Sequence, residues 1–145
     1  MSYYFIRLND NFVVNKMIMT SQKYLSELHH DHREWKNLLS FYEEDLKIMK
    51  KRLEEISMKN SDREMHGWVE RFQNKLIIQE EQIDLLKHDI NVCEGDVVKN
   101  IEDNPTASDH RKIEDHTDLR ERVQTFELLF NKLRKDLNTF VAKWM

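Results

Sequence analysis

Glycine occurs twice, proline once and cysteine once in 145 residues. Sandwiches and barrels close through many tight turns that depend on glycine and proline. Their scarcity argues against both architectures and leaves helix as the dominant element. The single cysteine, Cys93, has no partner for an internal disulfide, which favours a reducing, cytoplasmic compartment. No apolar run approaches the ~20 residues that span a bilayer. The start "MSYYFIRLND" lacks a basic stretch followed by an apolar core, so neither a signal peptide nor a membrane partner is expected. Basic excess is absent too: the net charge is −4, and bulk electrostatic attraction to nucleic acid is not expected. There is no GxSxG, no glycine-rich phosphate loop and no CxxC, and no pair of carboxylates placed as in a glycosidase cleft. These absences point to a non-enzymatic protein without a cofactor, the one candidate being the divalent metal weighed below.

What is present is charge and heptads. Charged residues make up 34% of the chain and hydrophobic residues 39%, the balance of long solvated helices. Alternating steps of three and four select Leu25, Leu28, His32, Trp35, Leu39, Tyr42, Leu46, Met49, Leu53 and Ile56 in a first run. A second run holds Val69, Phe72, Leu76, Gln79, Ile83, Leu86, Ile90, Cys93 and Val97. A third holds His116, Leu119, Val123, Phe126, Phe130, Leu133, Leu137, Phe140 and Trp144. These are the a and d positions of heptads, with Leu25, Val69 and His116 at a, and only His32, Gln79 and His116 are polar.

The breaks between runs are legible. In "KNSDRE" (59–64), Asn60 is a helix stop, and Ser61 with Glu64 reads as a capping box for the next helix. "EDNPTASD" (102–109) holds Pro105, which cannot continue a helix, and Thr106 or Ser108 can cap the next one. Helices are expected over 20–58, 61–101 and 107–144. Short connections make neighbours antiparallel, so the expected fold is an all-α, elongated, antiparallel three-helix bundle with coiled-coil-like packing over 20–145. Residues 1–19 leave the pattern. They read as an N-terminal arm, with "NDN" able to turn a short hairpin, and Met17 and Met19 mark an alternative start.

The segment "HHDHREW" (29–35) resembles the histidine-rich helices of hemerythrin-like bundles, but departs from them in helix count and in the direction of the candidate ligands. Folding the runs about residues ~60 and ~104 in an antiparallel hairpin brings His32 within about a turn of His116. Two readings follow. His32 and His116, with His29 as a third ligand, could hold a divalent metal, which gives the alternative function of a metal-binding or metal-sensing bundle. Otherwise they form a polar layer that fixes register at some cost in stability, as Gln79 would at mid-bundle. The pairs His30/Glu34, His66/Glu70 and His110/Glu114 share the HxxxE spacing of di-metal helices, but none points at the core, so they read as surface pairs. Ile56, Met65, Trp68 and Trp144 are expected to gather as an aromatic plug at the far end.

The feature with most functional content is a second apolar row. Ile78, Leu85 and Val92 occupy successive c positions of the second helix, and Phe41 and Ile48 occupy c in the first. A c position sits ~130° from the centre of the a/d seam at ~100° per residue, outside a three-helix core. Leu128, at f, is an isolated addition. The row reads as a surface for self-association or a partner helix. It reads alternatively as ground covered by Tyr4, Ile6, Phe12 and Val14 of a folded-back arm, or as scattered exposure without meaning. The expected function is therefore an interaction or scaffolding protein, a homodimer or a binder of another protein.

Overall fold

The structure, a computed structural model, describes residues 2–103 and 110–145, with side chains described at 13, 15, 16, 24–96, 98, 99 and 116–145. It is an all-α bundle of three helices: α1 (Ser2–Lys59), α2 (Arg63–Asp103) and α3 (His110–Trp144). Among the described residues there is no strand. No described helix is long and apolar enough to cross a membrane.

α1 has 58 residues and does not begin near residue 20. The expected hairpin over 1–19 does not form: from Ser2 onward these residues belong to the same helix that enters the bundle. No glycine or proline interrupts residues 1–19, and "NDN" alone does not stop helical hydrogen bonding. The side chains of Tyr4, Ile6, Phe12, Val14, Met17 and Met19 lie outside the described residues, as do Thr106 and Ser108.

The heptad register predicts the core. The described a and d residues of all three runs are buried apart from Leu25, Trp35, Gln79 and Trp144, which are half-buried. The flanking positions explain how the helices are ordered. Where α1 meets α2, Lys87 pairs with Glu43 at 2.8 Å and Lys50 with Glu80 at 2.6 Å, all at e. Where α2 meets α3, Arg122 pairs with Asp89 at 2.8 Å, both at g. Where α1 meets α3, Asp31 pairs with Arg120 at 2.8 Å and Asp45 with Arg134, g against e. Antiparallel neighbours match e to e and g to g, whereas parallel neighbours match g to e. The ion pairs therefore record an up-down-up bundle with α1 and α3 parallel. Folding about residue 60 would set Lys50 opposite 70, but its partner is Glu80. Helical side chains lean toward their own N-terminus, away from the turn on α1 and toward it on α2, so partners meet across an axial offset.

The α1–α2 turn is built differently from its expected capping box. Asp62 Oδ1 accepts the Met65 amide at 2.9 Å, so Asp62 rather than Ser61 is the N-cap of α2. Asn60 ends α1 as expected and holds two helix C-termini: its Nδ2 donates to the Ile56 carbonyl at 3.1 Å and the Trp144 carbonyl at 3.4 Å. His66 does not pair with Glu70. Its Nε2 donates to the Asn60 carbonyl at 2.9 Å and its Nδ1 accepts from Ser57 Oγ at 3.3 Å. Of the expected plug, Ile56 and Met65 are buried and Trp144 is half-buried. Trp68 stays outside, with the Arg71 guanidinium 4.9 Å above its ring, because it occupies a g position and not the seam.

Candidate functional site

Two features outside ordinary packing are candidates: the histidine layer at one end, and the apolar rows on the outside.

In the layer, α1 and α3 lie parallel and present His32 and His116 toward each other, ring centroids 5.4 Å apart. Trp35, one turn along α1, stacks on His116 at 5.0 Å with an interplanar angle of 27° and contacts His32 at 5.6 Å. His32 is fully buried and neither ring nitrogen has a hydrogen-bond partner; the same holds for Nδ1 of His116 and for the Tyr24 hydroxyl nearby on α1. His116 Nε2 donates to Asp31 Oδ2 at 3.1 Å, and Arg120 donates to the same oxygen at 2.8 Å. Burial, and then the adjacent His116, push the His32 imidazole from 6.5 down to about 4. Burial also lowers His116, and Asp31 pulls it back only part of the way. For Asp31 burial works upward, but the hydrogen bonds from Arg120 and His116 outweigh it and hold the carboxyl below its ordinary value.

His29 does not join this layer. Its Nδ1 donates to Glu94 Oε1 at 2.5 Å, and Lys36 donates to Glu94 Oε2 at 3.1 Å. Burial would raise Glu94, but these two partners more than offset it and hold its carboxyl low. The candidate ligand set is thus divided: His32 and His116 are brought together, and His29 is turned to the α1–α2 seam. Among the described residues no group of three His, Cys, Asp or Glu side chains is arranged to hold a metal ion. His30 pairs with Glu34 at 3.1 Å on the surface, and the side chains of His110 and Glu114 lie outside the described residues. The layer is polar by composition but aromatic in its contacts: Trp35 stacks on His116, and His32 meets both rings at a tilt of 50–53°. Gln79 is similar in kind: its Oε1 is buried without a hydrogen-bond partner, so no polar side chain answers it across the seam.

The outer rows are exposed. Ile78, Leu85 and Val92 keep 53%, 50% and 47% of their surface, and Phe41 and Ile48 keep 59% and 51%. They do not form one stripe. The c positions of α1 and α2 both lie on the side facing α3, so α3 stands between them. Phe41 lies on the α1 flank, where the Arg134 guanidinium is 6.0 Å from its ring. Ile78 lies on the α2 flank beside Leu129, at g of α3, and the two wall adjoining open hollows of about 430 Å³ and 230 Å³ between the helices. Leu129, 55% exposed, does not stand out in the sequence. A lone leucine at g carries no periodic signal, and only the pairing of α2 with α3 sets it beside Ile78. Leu128 is exposed on the outer side of α3.

Comparison of the chain with protein-family models, with curated proteins and with solved structures returned no match.

Proposed function

We propose that this protein is a non-enzymatic helical interaction module that self-associates by burying the apolar row of α2 together with Leu129. The observation that carries the reading is the repeat of Ile78, Leu85 and Val92 on one exposed edge, each about half accessible. Singly exposed apolar side chains are ordinary, but a contiguous row with polar borders is a feature of interfaces. Phe41 and Ile48 belong to the other flank of α3, and Arg134 already lies against Phe41, so the row on α2 is the stronger surface. The net charge of −4 supports a protein partner over a nucleic acid, and the lone, buried Cys93 suits a reducing cytoplasm.

Sedimentation equilibrium tests this. The wild-type chain is expected to dimerise with increasing concentration. Ile78→Glu combined with Leu85→Glu is expected to remain monomeric while keeping the helical circular dichroism of the wild type. A wild-type chain that stays strictly monomeric at high concentration overturns the proposal.

A further inference from the structure

The α2–α3 face carries its charge unevenly, and this bears on how two copies would align. Toward the α1–α2 turn the face is bordered by Lys75 and Lys132, with Arg71 two turns below Ile78 on the same row; Asp136 is the one carboxylate on these rows there. Toward the histidine end it is bordered by Asp118 and Glu121, with Asp89 and Asp96 on α2; the cations there are Arg122, bound to Asp89 at 2.8 Å, and Lys99, exposed on the row that holds Val92. The balance is three cations against one carboxylate below, and four carboxylates against two cations above. The apolar centre, Ile78 to Val92 with Leu129, lies between.

We infer that the occupant of this face is a second copy of the chain, docked antiparallel about a two-fold axis at Leu85, an inference that rests on the self-association proposed above. In that arrangement the basic end of each copy meets the acidic end of the other, twice, while a parallel arrangement sets like charges against each other, which is destabilising and selects against it. The spacing agrees. The axis places Leu85 on its own counterpart, Ile78 on Val92 and Lys75 near Asp96, so all three apolar residues are covered; it also sets Arg71 level with Lys99, a like-charge pair that Asp96, three residues from Lys99, offsets. The strip from Arg71 to Asp96 is ~38 Å long at ~1.5 Å per residue, and two helices of ~10 Å each make it ~20 Å wide. That footprint of about 750 Å² per copy is close to the ~800 Å² of a specific interface.

Oxidative cross-linking of variants with one added cysteine, each also carrying Cys93→Ser, reads the alignment, with the Cys93→Ser chain as the blank. Leu85→Cys is expected to give a disulfide-linked dimer. Ile78→Cys and Val92→Cys, each alone, are expected to give none, and an equimolar mixture of the two is expected to give the mixed dimer, identified by mass. Self-cross-linking of Ile78→Cys and of Val92→Cys would show a parallel pair and overturn the inference while leaving self-association intact. A dimer in sedimentation with no cross-link at any of these positions would place the interface elsewhere and overturn it also. Absence of any dimer removes both readings together.

Discussion

A neutral imidazole buried with both nitrogens unanswered, as at His32, carries an unmet donor and an unmet acceptor. Each unmet group costs roughly 1–3 kcal/mol. Leucine fits an a position and has nothing to satisfy. His32→Leu is therefore expected to stabilise the chain by roughly 1–3 kcal/mol, seen as a higher midpoint in urea at neutral pH. The same residue makes stability depend on pH. Unfolded, its imidazole binds a proton near 6.5; folded, near 4. Between those values the unfolded chain holds more protons, so stability rises with pH and is lost as pH falls from about 6.5 toward 4. The loss reaches about 1.4 kcal/mol per pH unit for a fully buried group. His116 is shifted in the same direction and adds to it. Asp31 and Glu94, held low by Arg120, His116, His29 and Lys36, add losses of the same sign further down the pH scale. Denaturation measured at pH 7.5 and pH 5 is expected to show this slope, and to show a shallower one in His32→Leu. An unchanged slope would mean that His32 titrates normally when folded.

At the scale of the helices, caps and flanking pairs are separable from the seam. Asp62 accepts an otherwise unpaired amide at the start of α2, so Asp62→Ala is expected to cost about 1 kcal/mol, while Ser61→Ala leaves stability nearly unchanged. The reverse order would restore the Ser61–Glu64 capping box read from the sequence. Arg134 differs from the other flanking cations. It pairs with Asp45, and its guanidinium stands 5.3 Å from the Phe130 ring and 5.5 Å from the Tyr42 ring. A half-buried ion pair that also covers aromatic faces is worth more than a wet one. Arg134→Ala is expected to lower stability by about 1–2 kcal/mol in thermal unfolding. Lys47→Ala, which removes an exposed pair with Glu44, is expected to leave it unchanged.

For the whole molecule, shape follows from three long helices side by side. The accessible surface is 10811 Å² for 17.7 kDa, against about 7,900 Å² for a compact monomer of that mass. The monomer is therefore expected to sediment slowly for its mass. An antiparallel pair that overlaps along α2 adds width more than length, so small-angle scattering is expected to show the cross-section growing with concentration faster than the maximum dimension. Growth mainly in length would indicate end-to-end contact. The core that holds this rod is narrow, one layer of a and d residues deep. Leu39→Ala, at a fully buried a position, is expected to cost about 2–5 kcal/mol.

The heptads alone determine the number of bundle helices, their buried faces and the meeting of His32 with His116, because a 3.5-residue period admits one inward face and short breaks admit one direction of return. They also put Ile78, Leu85 and Val92 outside. The sequence does not determine what depends on neighbours. Asp62 displaces Ser61 as cap because the turn places its carboxylate at the Met65 amide. His29 leaves the histidine layer because Glu94 lies within its reach across α2. Phe41 and Ile78 part company because α3 stands between the edges they occupy, and Leu129 lies beside Ile78 only because α2 packs on α3. Periodicity records which way each side chain points from its own axis, a local property of one helix. Which residues meet there is set by how the three axes pack, and that is decided only in the folded bundle.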